Sequence, residues 1–264
     1  MLKKLLNARR ASAVAPATLP DGERVYAIGD VHGCADLLDQ LLERIDADDT
    51  ARGPARTTLI FLGDVVDRGP SSAVVIERLR QLAAERRGTR FLLGNHEEVF
   101  LEALKGESKA LRMFCRIGGR ETIISYGVDP SDYDRMDYAE LHDALRQHVP
   151  SDHEAFLTGF EDVIVIGDYV FVHAGIRPTE DLSDQRRSDL RWIREPFLSH
   201  NRPFEKMVVH GHTISEEVDM QAHRIGVDTG AYETGRLTAL GLEGTSRWTV
   251  QAFVAPAGAA EKQI

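Results

Sequence analysis

The chain lacks the features that mark secreted, membrane-spanning and polyanion-binding proteins. It has only two cysteines in 264 residues, Cys34 and Cys115, and no C-x-x-C pair, which argues against a disulfide scaffold and a thiolate zinc site. No apolar run approaches 18 residues, so we expect no membrane span and no membrane partner. The net charge of -10 argues against a nucleic-acid polymer as partner. These absences predict a cytoplasmic protein, and we expect a monomer.

Two common nucleotide-binding loops are missing as well. No G-x-x-x-x-G-K-S/T sequence occurs, which disfavours a P-loop NTPase. No G-x-G-x-x-G follows a strand-like segment, which disfavours a dinucleotide-dependent dehydrogenase. Arginine supplies 26 of the 32 basic residues, so a single arginine is a weak functional signal here.

What is present is a recurring unit, in which an apolar segment of strand length ends in glycine and a polar residue. The first three instances are residues 25–30, 59–64 and 91–95, and helical periodicity follows the first two, as in residues 35–45. This pattern predicts a β-α-β-α-β core with parallel strands and right-handed crossovers. Two further strands end at His173 and near His210.

The fold class predicted is α/β with α+β elements, a β-sandwich flanked by helices. One domain is expected over residues 23–256, with a flexible tail at 1–22 and another at 257–264. Residues 106–161 have helical character without a sharp polar strand ending, which predicts a helical insertion or cap over the site. Three short segments near 222–228, 236–242 and 246–254 predict an antiparallel, hairpin-linked layer.

Each of the five strand ends carries polar side chains. If the strands share one sandwich, their carboxyl ends meet at one edge, where ligands collect in open α/β sheets. One such cluster alone is more often a turn and a surface histidine, but turns do not require five clusters with compatible ligand chemistry. The clusters are Asp30-Val-His32, Asp64 with Asp67-Arg68, Asn95-His96-Glu97, His173, and His210-Gly-His212.

Oxygen and imidazole donors without thiolate suit manganese, iron, zinc or magnesium. The donors outnumber what one ion takes, so the sequence predicts two metal ions about 4 Å apart, a spacing that suits in-line displacement at phosphorus. One carboxylate must bridge them. Asp64 is the best candidate, because it ends a long apolar strand inside the densest cluster.

These blocks resemble the signature blocks of the phosphoprotein phosphatase family of calcineurin-like metallophosphoesterases. The resemblance covers about residues 24–242 and is closest to the bacterial and lambda-phage branch. Its most specific block is Gly-Asp-x-Val-Asp-Arg-Gly. The blocks are Gly29–Gly33, Gly63–Gly69, Gly94–Glu97, His173–Gly175 and Gly211–Thr213.

The resemblance implies a set of ligands and a proton donor. Asp64 would be shared between the two ions, manganese being the expected metal, with iron and zinc as alternatives. His210 would be a neighbour and not a ligand. The implied ligands are Asp30, His32 and Asp64 for the first ion and Asp64, Asn95, His173 and His212 for the second.

The same resemblance implies the catalytic residues. His96 would protonate the leaving alcohol, and Asp67 would orient its imidazole. Arg68 and Arg194 would bind the phosphoryl oxygens, with Arg191 as the alternative to Arg194. Tyr232 matches a family active-site tyrosine only loosely, and a structural role is equally compatible with its position.

The activity implied is a dinuclear-metal phosphomonoesterase acting on phosphoproteins or small phosphoesters. A Ser/Thr protein phosphatase, with phosphotyrosine as a further substrate, is favoured, because many diadenosine tetraphosphate hydrolases carry Gln where this chain has His32. One alternative is a symmetrical dinucleoside tetraphosphate hydrolase, whose nucleoside pocket would lie in the insertion. A second is a catalytically silent module that binds phosphorylated ligands. The candidate stacking residues in the insertion are Phe114, Tyr126, Tyr133 and Tyr138.

Overall fold

The computed structural model of the protein describes residues 16–254. The predicted C-terminal tail and residues 1–15 of the predicted N-terminal tail lie outside the described residues. Residues 16–22, also assigned to that tail, pack on the domain. The amide of Leu19 donates to the carbonyl of Gly244 at 3.0 Å, and the Leu19 side chain is buried. The ordered domain therefore begins before residue 23.

The described chain alternates strands and helices in its first third and carries a run of helices in its middle. The strands are β1 (Glu23–Ile28), β2 (Arg56–Phe61), β3 (Thr89–Phe91), β4 (Ile164–Ile166), β5 (Tyr169–Phe171), β6 (Met207–His210), β7 (Asp219–Met220), β8 (Arg224–Gly226), β9 (Arg236–Glu243) and β10 (Ser246–Phe253). The α-helices are α1 (Ala35–Arg52), α2 (Ser72–Glu85), α3 (Asn95–Leu104), α4 (Ser108–Ile117), α5 (Gly119–Ser125), α6 (Pro130–Tyr133), α7 (Tyr138–His148), α8 (Ser151–Thr158), α9 (Arg187–Trp192) and α10 (Ala231–Thr234). None of the described helices combines the length and the apolar surface that crossing a bilayer requires.

The strands form two five-stranded mixed sheets. The first has the order β10-β9-β1-β2-β3, in which β1, β2 and β3 are parallel, and the second has the order β4-β5-β6-β8-β7. The predicted β-α-β-α-β core and the α/β fold class are confirmed.

The two sheets pack face to face as a sandwich. Successive side chains of β1 alternate between the two faces of the first sheet. Val25 and Ala27 lie in a buried cluster that also contains Phe171 and Val209 of the second sheet. Tyr26 points to the other side, into the cluster formed with the helices. Helices therefore cover the outer face of the first sheet, as predicted for a flanked sandwich.

The late strands differ from the prediction of a single antiparallel layer. β9 and β10 do form an antiparallel hairpin at the edge of the first sheet, but β8 lies in the second sheet, parallel to β6. The reason is that β8 pairs with β6 from Val208 to His210, and helix α10 then carries the chain across to the first sheet. The prediction that segment 222–228 belongs to the antiparallel layer with β9 and β10 is therefore wrong.

Helices α4 to α8 form the predicted helical insertion, and their apolar side chains join the main core. Phe114 is fully buried and stacks on Phe100 with ring centroids 5.0 Å apart, and Leu157 belongs to the same cluster as β1 and β2. Residues 106–161 are therefore packed beside the first sheet as part of its helical layer.

Truncation of Phe114 tests this integration. We expect Phe114→Ala to lower the free energy of unfolding by about 3–5 kcal/mol, because it leaves a cavity in a closed core. Tyr138→Ala, at an exposed side chain of the same insertion, should change stability by less than about 0.5 kcal/mol. The measurement is urea denaturation followed by circular dichroism. Two separate transitions in the Phe114→Ala protein would contradict a shared core.

Candidate metal centre

The polar strand ends of both sheets meet at one edge of the sandwich. Asp30 follows β1 of the first sheet, and its carboxylate accepts the amide of His212, which follows β6 of the second, at 3.0 Å. Asp64 follows β2, and its Oδ2 lies 3.4 Å from Nε2 of His173, which follows β5. The site therefore sits across the junction of the two sheets.

Two groups of side chains offer ligand atoms within 4.8 Å of one another, and both include Asp64. The first joins Asp64 to His32 and His96, and the second joins it to His173 and His212. A carboxylate common to two such groups has the position required of a bridging ligand. The geometry thus supports the role predicted for Asp64.

The remaining predicted ligands lie beside these groups. Oδ1 of Asn95 is 3.0 Å from Nε2 of His173, and Asp30 is held against His212 through its amide. His210 is different, because its buried ring packs edge-on against Phe197 at 5.0 Å. The structure therefore brings all six predicted ligands together and turns His210 away from Asp64.

Hydrogen bonds fix which nitrogen of each imidazole faces the centre. Nδ1 of His32 donates to the carbonyl of Val66 at 2.7 Å, and Nδ1 of His173 donates to the carbonyl of Leu62 at 2.7 Å. Nε2 of His32 accepts from Arg68 at 3.1 Å. This arrangement leaves Nε2 pointing inward, as second-shell carbonyls do for metal-binding histidines.

The charges of the buried donors fit a divalent cation. Burial lowers the pKa of His32 and of His212 to about 3, so both imidazoles are neutral and carry a free lone pair. Burial and the neighbouring Asp228 and Asp64 raise the pKa of Asp30 well above its usual range. Closely spaced buried carboxylates are unfavourable without a compensating positive charge. The donor set therefore fits the metal ions predicted from the sequence.

His173 differs from His32 and His212 in the direction of its pKa shift. Burial opposes protonation of this imidazole, but Asp64 outweighs burial and raises the pKa of His173. A metal ion held by His173 would compete with protonation, since a ligating imidazole donates its lone pair.

Backbone conformation marks the same residues. The non-glycine residues with positive φ in the described chain are His32, Asp64, Asp67, Arg68 and His212, with φ between 45° and 70°. Side chains other than glycine rarely adopt this left-handed region, and such conformations concentrate at functional sites. All five are predicted site residues, so the fold holds strained backbone where the sequence places the chemistry.

Glu97 holds the turn after β2 in place. Its buried carboxylate accepts the amides of Asp64 and Val65 at 2.8 Å, that of Val66 at 3.2 Å and that of Gly94 at 3.0 Å. Burial and the nearby Asp64 raise the pKa of Glu97 to about 7. In the sequence Glu97 is visible only as a member of the Asn95-His96-Glu97 cluster, and its role becomes clear only from these contacts.

Asp228 is a second residue that the sequence analysis missed. It lies buried after β8, and burial, with Asp64, raises its pKa to about 6. The available signal was the same strand-end pattern, because Val227-Asp228-Thr229-Gly230 again places a polar residue and a glycine after an apolar segment.

His96 and Asp67 form the predicted pair. Nδ1 of His96 is 2.7 Å from Oδ2 of Asp67, and the hydroxyl of Thr122 in α5 donates to the other carboxylate oxygen at 2.7 Å. Nε2 of His96 lies 3.8 Å from Oδ2 of Asp64 and so faces the centre. Burial opposes protonation of His96, but Asp64 and Asp67 outweigh it and raise its pKa.

The two arginine candidates in the Trp192 segment have different surroundings. Arg191 forms ion pairs with Glu98 and Asp162 at 2.6 Å, so its charge is already paired. Arg194 is exposed, and its Nε lies 3.4 Å from Nε2 of His212. The geometry thus favours Arg194 over Arg191 as the second arginine of the site.

Tyr232 lies at the rim beside the other arginine. Its ring is 5.3 Å from the ring of His32, and the guanidinium of Arg68 lies 4.8 Å from its centroid. Two of the four aromatic candidates in the insertion are less available. Phe114 belongs to the core, and the hydroxyl of Tyr126 pairs with His153 at 2.9 Å.

Comparison with known proteins identifies the family of the chain. The model of the calcineurin-like phosphoesterase family matches residues 23–239. A relative from Bacillus mycoides (strain KBAB4), the asymmetrical bis(5'-nucleosyl)-tetraphosphatase PrpE, is 26% identical over 236 residues, covering 81% of this chain and 88% of its own.

Solved structures show the same fold. A structure titled as a putative diadenosine tetraphosphatase has a TM-score of 0.64 at 24% identity, covering 90% of this chain and all of its own. A cold-active protein tyrosine phosphatase has a TM-score of 0.55 at 20% identity, covering 88% of this chain and 81% of its own. Since the family model spans most of the chain and the donor set fits metal ions, the protein belongs to the calcineurin-like phosphoesterase family and is a metal-dependent phosphohydrolase enzyme.

Proposed function

We propose that the protein hydrolyses nucleoside polyphosphates, with a dinucleoside tetraphosphate as the representative substrate. The reaction would use two divalent metal ions, and manganese is the metal proposed. The observation that carries the chemistry is that Asp64 belongs to both groups of closely spaced donors, one of which also contains His96, whose other ring nitrogen is held by Asp67. When bound, the ions would activate water and polarise the phosphoryl oxygens. The residues proposed to hold them are Asp30, His32, Asp64, Asn95, His173 and His212.

His96 supplies the proton that the leaving oxygen needs. Its Nδ1 is held by Asp67, so Nε2 points toward Asp64 and carries the proton to be transferred. A carboxylate on the far nitrogen stabilises the protonated imidazole, which keeps His96 ready as an acid. His96 is therefore the proposed proton donor and Asp67 its positioning residue.

Arg68 and Arg194 bind the phosphoryl oxygens. Each guanidinium reaches an inward-facing imidazole nitrogen, Arg68 that of His32 and Arg194 that of His212. The two arginines thus flank the ligand groups from opposite ends. Fixed donors aimed at phosphoryl oxygens stabilise the charge that these oxygens carry during transfer.

The choice of substrate depends on His32. The sequence favoured a protein phosphatase because of this histidine, but Nε2 of His32 faces Asp64 and belongs to the first ligand group. His32 is therefore a candidate metal ligand, and its presence is weak evidence about the substrate. The curated relative described above is named as a dinucleoside tetraphosphatase, and this name supports the nucleotide class.

Phosphoproteins are the second candidate. Arg194 is exposed and Tyr232 retains 37% of its accessible surface, so the rim is open to an extended peptide. The catalytically silent alternative requires the loss of a ligand, and all six are present. The cytoplasmic location and the monomeric state stay predictions.

The buried carboxylates predict how metal-free stability changes with pH. Asp30, Glu97 and Asp228 have raised pKa values, so their contribution to stability is complete at low pH and is lost as pH rises through those values. The lowered pKa values of His32 and His212 have the opposite effect, since they make stability rise with pH, mainly below pH 6.5. In EDTA we therefore expect the melting temperature to fall between pH 6 and pH 8.5, because Asp228 and Glu97, with pKa values of about 6 and about 7, lose their protons over this range.

Manganese should remove most of this decline. At a fixed concentration, about 100 times its Kd at pH 6, it should raise the melting temperature by about 5–10 °C at pH 6 and by more at pH 8.5, where protons compete less for the donors. Scanning fluorimetry provides the measurement, with Asp228→Asn as the matched variant that removes one buried carboxylate. A manganese effect that is smaller at pH 8.5 would contradict the electrostatic argument.

The role of His96 predicts a dependence on the leaving group. We expect His96→Asn to lower kcat by about 10²–10³-fold on a substrate with a poor leaving group, because proton transfer is lost. The loss on p-nitrophenyl phosphate should be much smaller, since its leaving group departs without a proton. Steady-state kinetics check this, with His142→Asn on α7 as the control. Equal losses on both substrates would exclude His96 as the acid.

Asp67→Asn tests the positioning carboxylate separately. Asp67 raises the pKa of His96, so its replacement should move the alkaline limb of the kcat profile to lower pH. The profile is measured from pH 6 to pH 10 with manganese present. A uniform loss of rate with an unmoved alkaline limb would indicate a purely structural role.

A direct competition decides the substrate class. We expect kcat/KM on diadenosine tetraphosphate to exceed that on a phosphoserine peptide by about a hundredfold, which corresponds to about 2.7 kcal/mol. Phosphate and nucleotide release are measured in one manganese-supplemented assay. A preference for the peptide would restore the protein-phosphatase interpretation.

A further inference from the structure

A cavity of about 270 Å³ opens beside the candidate metal centre, at the start of α1. Its wall includes Gly33 and Cys34, which directly follow the predicted ligand His32 in the chain. Tyr232 forms another part of the wall. The cavity therefore lies within reach of a group attached to a phosphate that is bound at the metal ligands.

Tyr232 separates the cavity from the phosphate-binding side of the site. On one side Tyr232 faces the candidate metal centre. Its ring centroid lies 5.3 Å from that of His32 and 4.8 Å from the guanidinium carbon of Arg68. Its ring keeps 37% of its accessible surface, so it is available to a further partner. An aromatic ring in this position can stack on a flat heterocycle.

The chemistry of the wall favours a neutral heterocycle over a phosphate or a peptide. Asp36 lines the cavity, and its carboxylate repels anions but accepts hydrogen bonds from exocyclic amino groups. The volume lies just below the range of pockets for drug-sized ligands, which suits a single ring system.

We propose that this cavity binds the nucleobase of the nucleoside polyphosphate, with Tyr232 stacking on the base and Arg68 contacting the attached phosphate chain. The inference rests on the proposed function and places the nucleoside pocket away from the helical insertion, where the sequence analysis had placed it. The base class favoured is an amino-bearing purine such as adenine, because Asp36 provides an acceptor.

A thiol-protection experiment tests occupancy without metal or turnover. Cys34 lines the cavity and Cys115, in α4, does not, so the two thiols report on the cavity and on a position outside it in the same molecule. The metal-free protein is treated with N-ethylmaleimide with and without adenosine, and each cysteine is followed by peptide mass spectrometry. We expect adenosine to slow modification of Cys34 by at least fivefold and to leave Cys115 unchanged.

Kinetics of cavity variants provide the second measurement. Tyr232→Ala and the cavity-filling Ala35→Phe should each lower kcat/KM on diadenosine tetraphosphate at least tenfold more than on p-nitrophenyl phosphate, mainly through KM. Tyr232→Phe keeps the ring and should retain most of the activity on the nucleotide. Tyr138→Ala, an exposed tyrosine of the insertion, is the control and should behave as wild type.

The outcomes separate this inference from the proposed function. Failure of adenosine to protect Cys34 overturns the base-binding cavity, even if diadenosine tetraphosphate is the preferred substrate. Protection of Cys34 in a protein that hydrolyses only phosphopeptides supports the cavity and overturns the proposed substrate. Equal losses on both substrates in Tyr232→Ala and Ala35→Phe assign these residues to the general structure of the site and overturn the inference.

Discussion

The active site depends on one buried carboxylate that organises a turn of left-handed backbone. Glu97 accepts four amides, three of them from residues 64–66 and one from Gly94. Hydrogen bonds to a charged group contribute more than neutral ones, and four unpaired buried amides would be costly. This anchoring allows Asp64 to keep a φ of 49° at the end of β2 and to present its carboxylate to both ligand groups. The first helical turn of α3 therefore contributes Asn95 and His96 to the site, together with Glu97, which holds the turn after β2.

Electrostatics make the same site dependent on cations. Asp30, Asp64 and Asp228 are buried within Coulombic range of one another, and the neutral imidazoles of His32 and His212 offset none of their charge. Burial raises the pKa of Asp30 and of Asp228, and at His173 Asp64 outweighs burial and raises the pKa as well, so protonation is favoured at all three. A bound divalent ion would compete with those protons, which would link metal binding, protonation and folding.

The packing of the two sheets sets the geometry of the centre. His173 and His212 come from the second sheet, whereas Asp30 and Asp64 come from the first, and the buried layer between the sheets fixes their spacing. The side chains of that layer therefore determine whether the two ligand groups can share Asp64, because the strand ends move with the sheets.

The sequence by itself determined the ligand types, their positions at strand ends and the parallel core, because the carboxyl ends of parallel strands meet at one edge. It also contains signals for Glu97, which lies in the Asn95-His96-Glu97 cluster, and for Asp228, which follows the same strand-end pattern. The tertiary structure alone decided which of two nearby arginines is free, since Glu98 and Asp162 neutralise Arg191. Packing also placed Phe114 in the core, β8 in the second sheet and Tyr232 beside a cavity. These outcomes depend on contacts between residues far apart in the chain, and local periodicity carries no information about such partners.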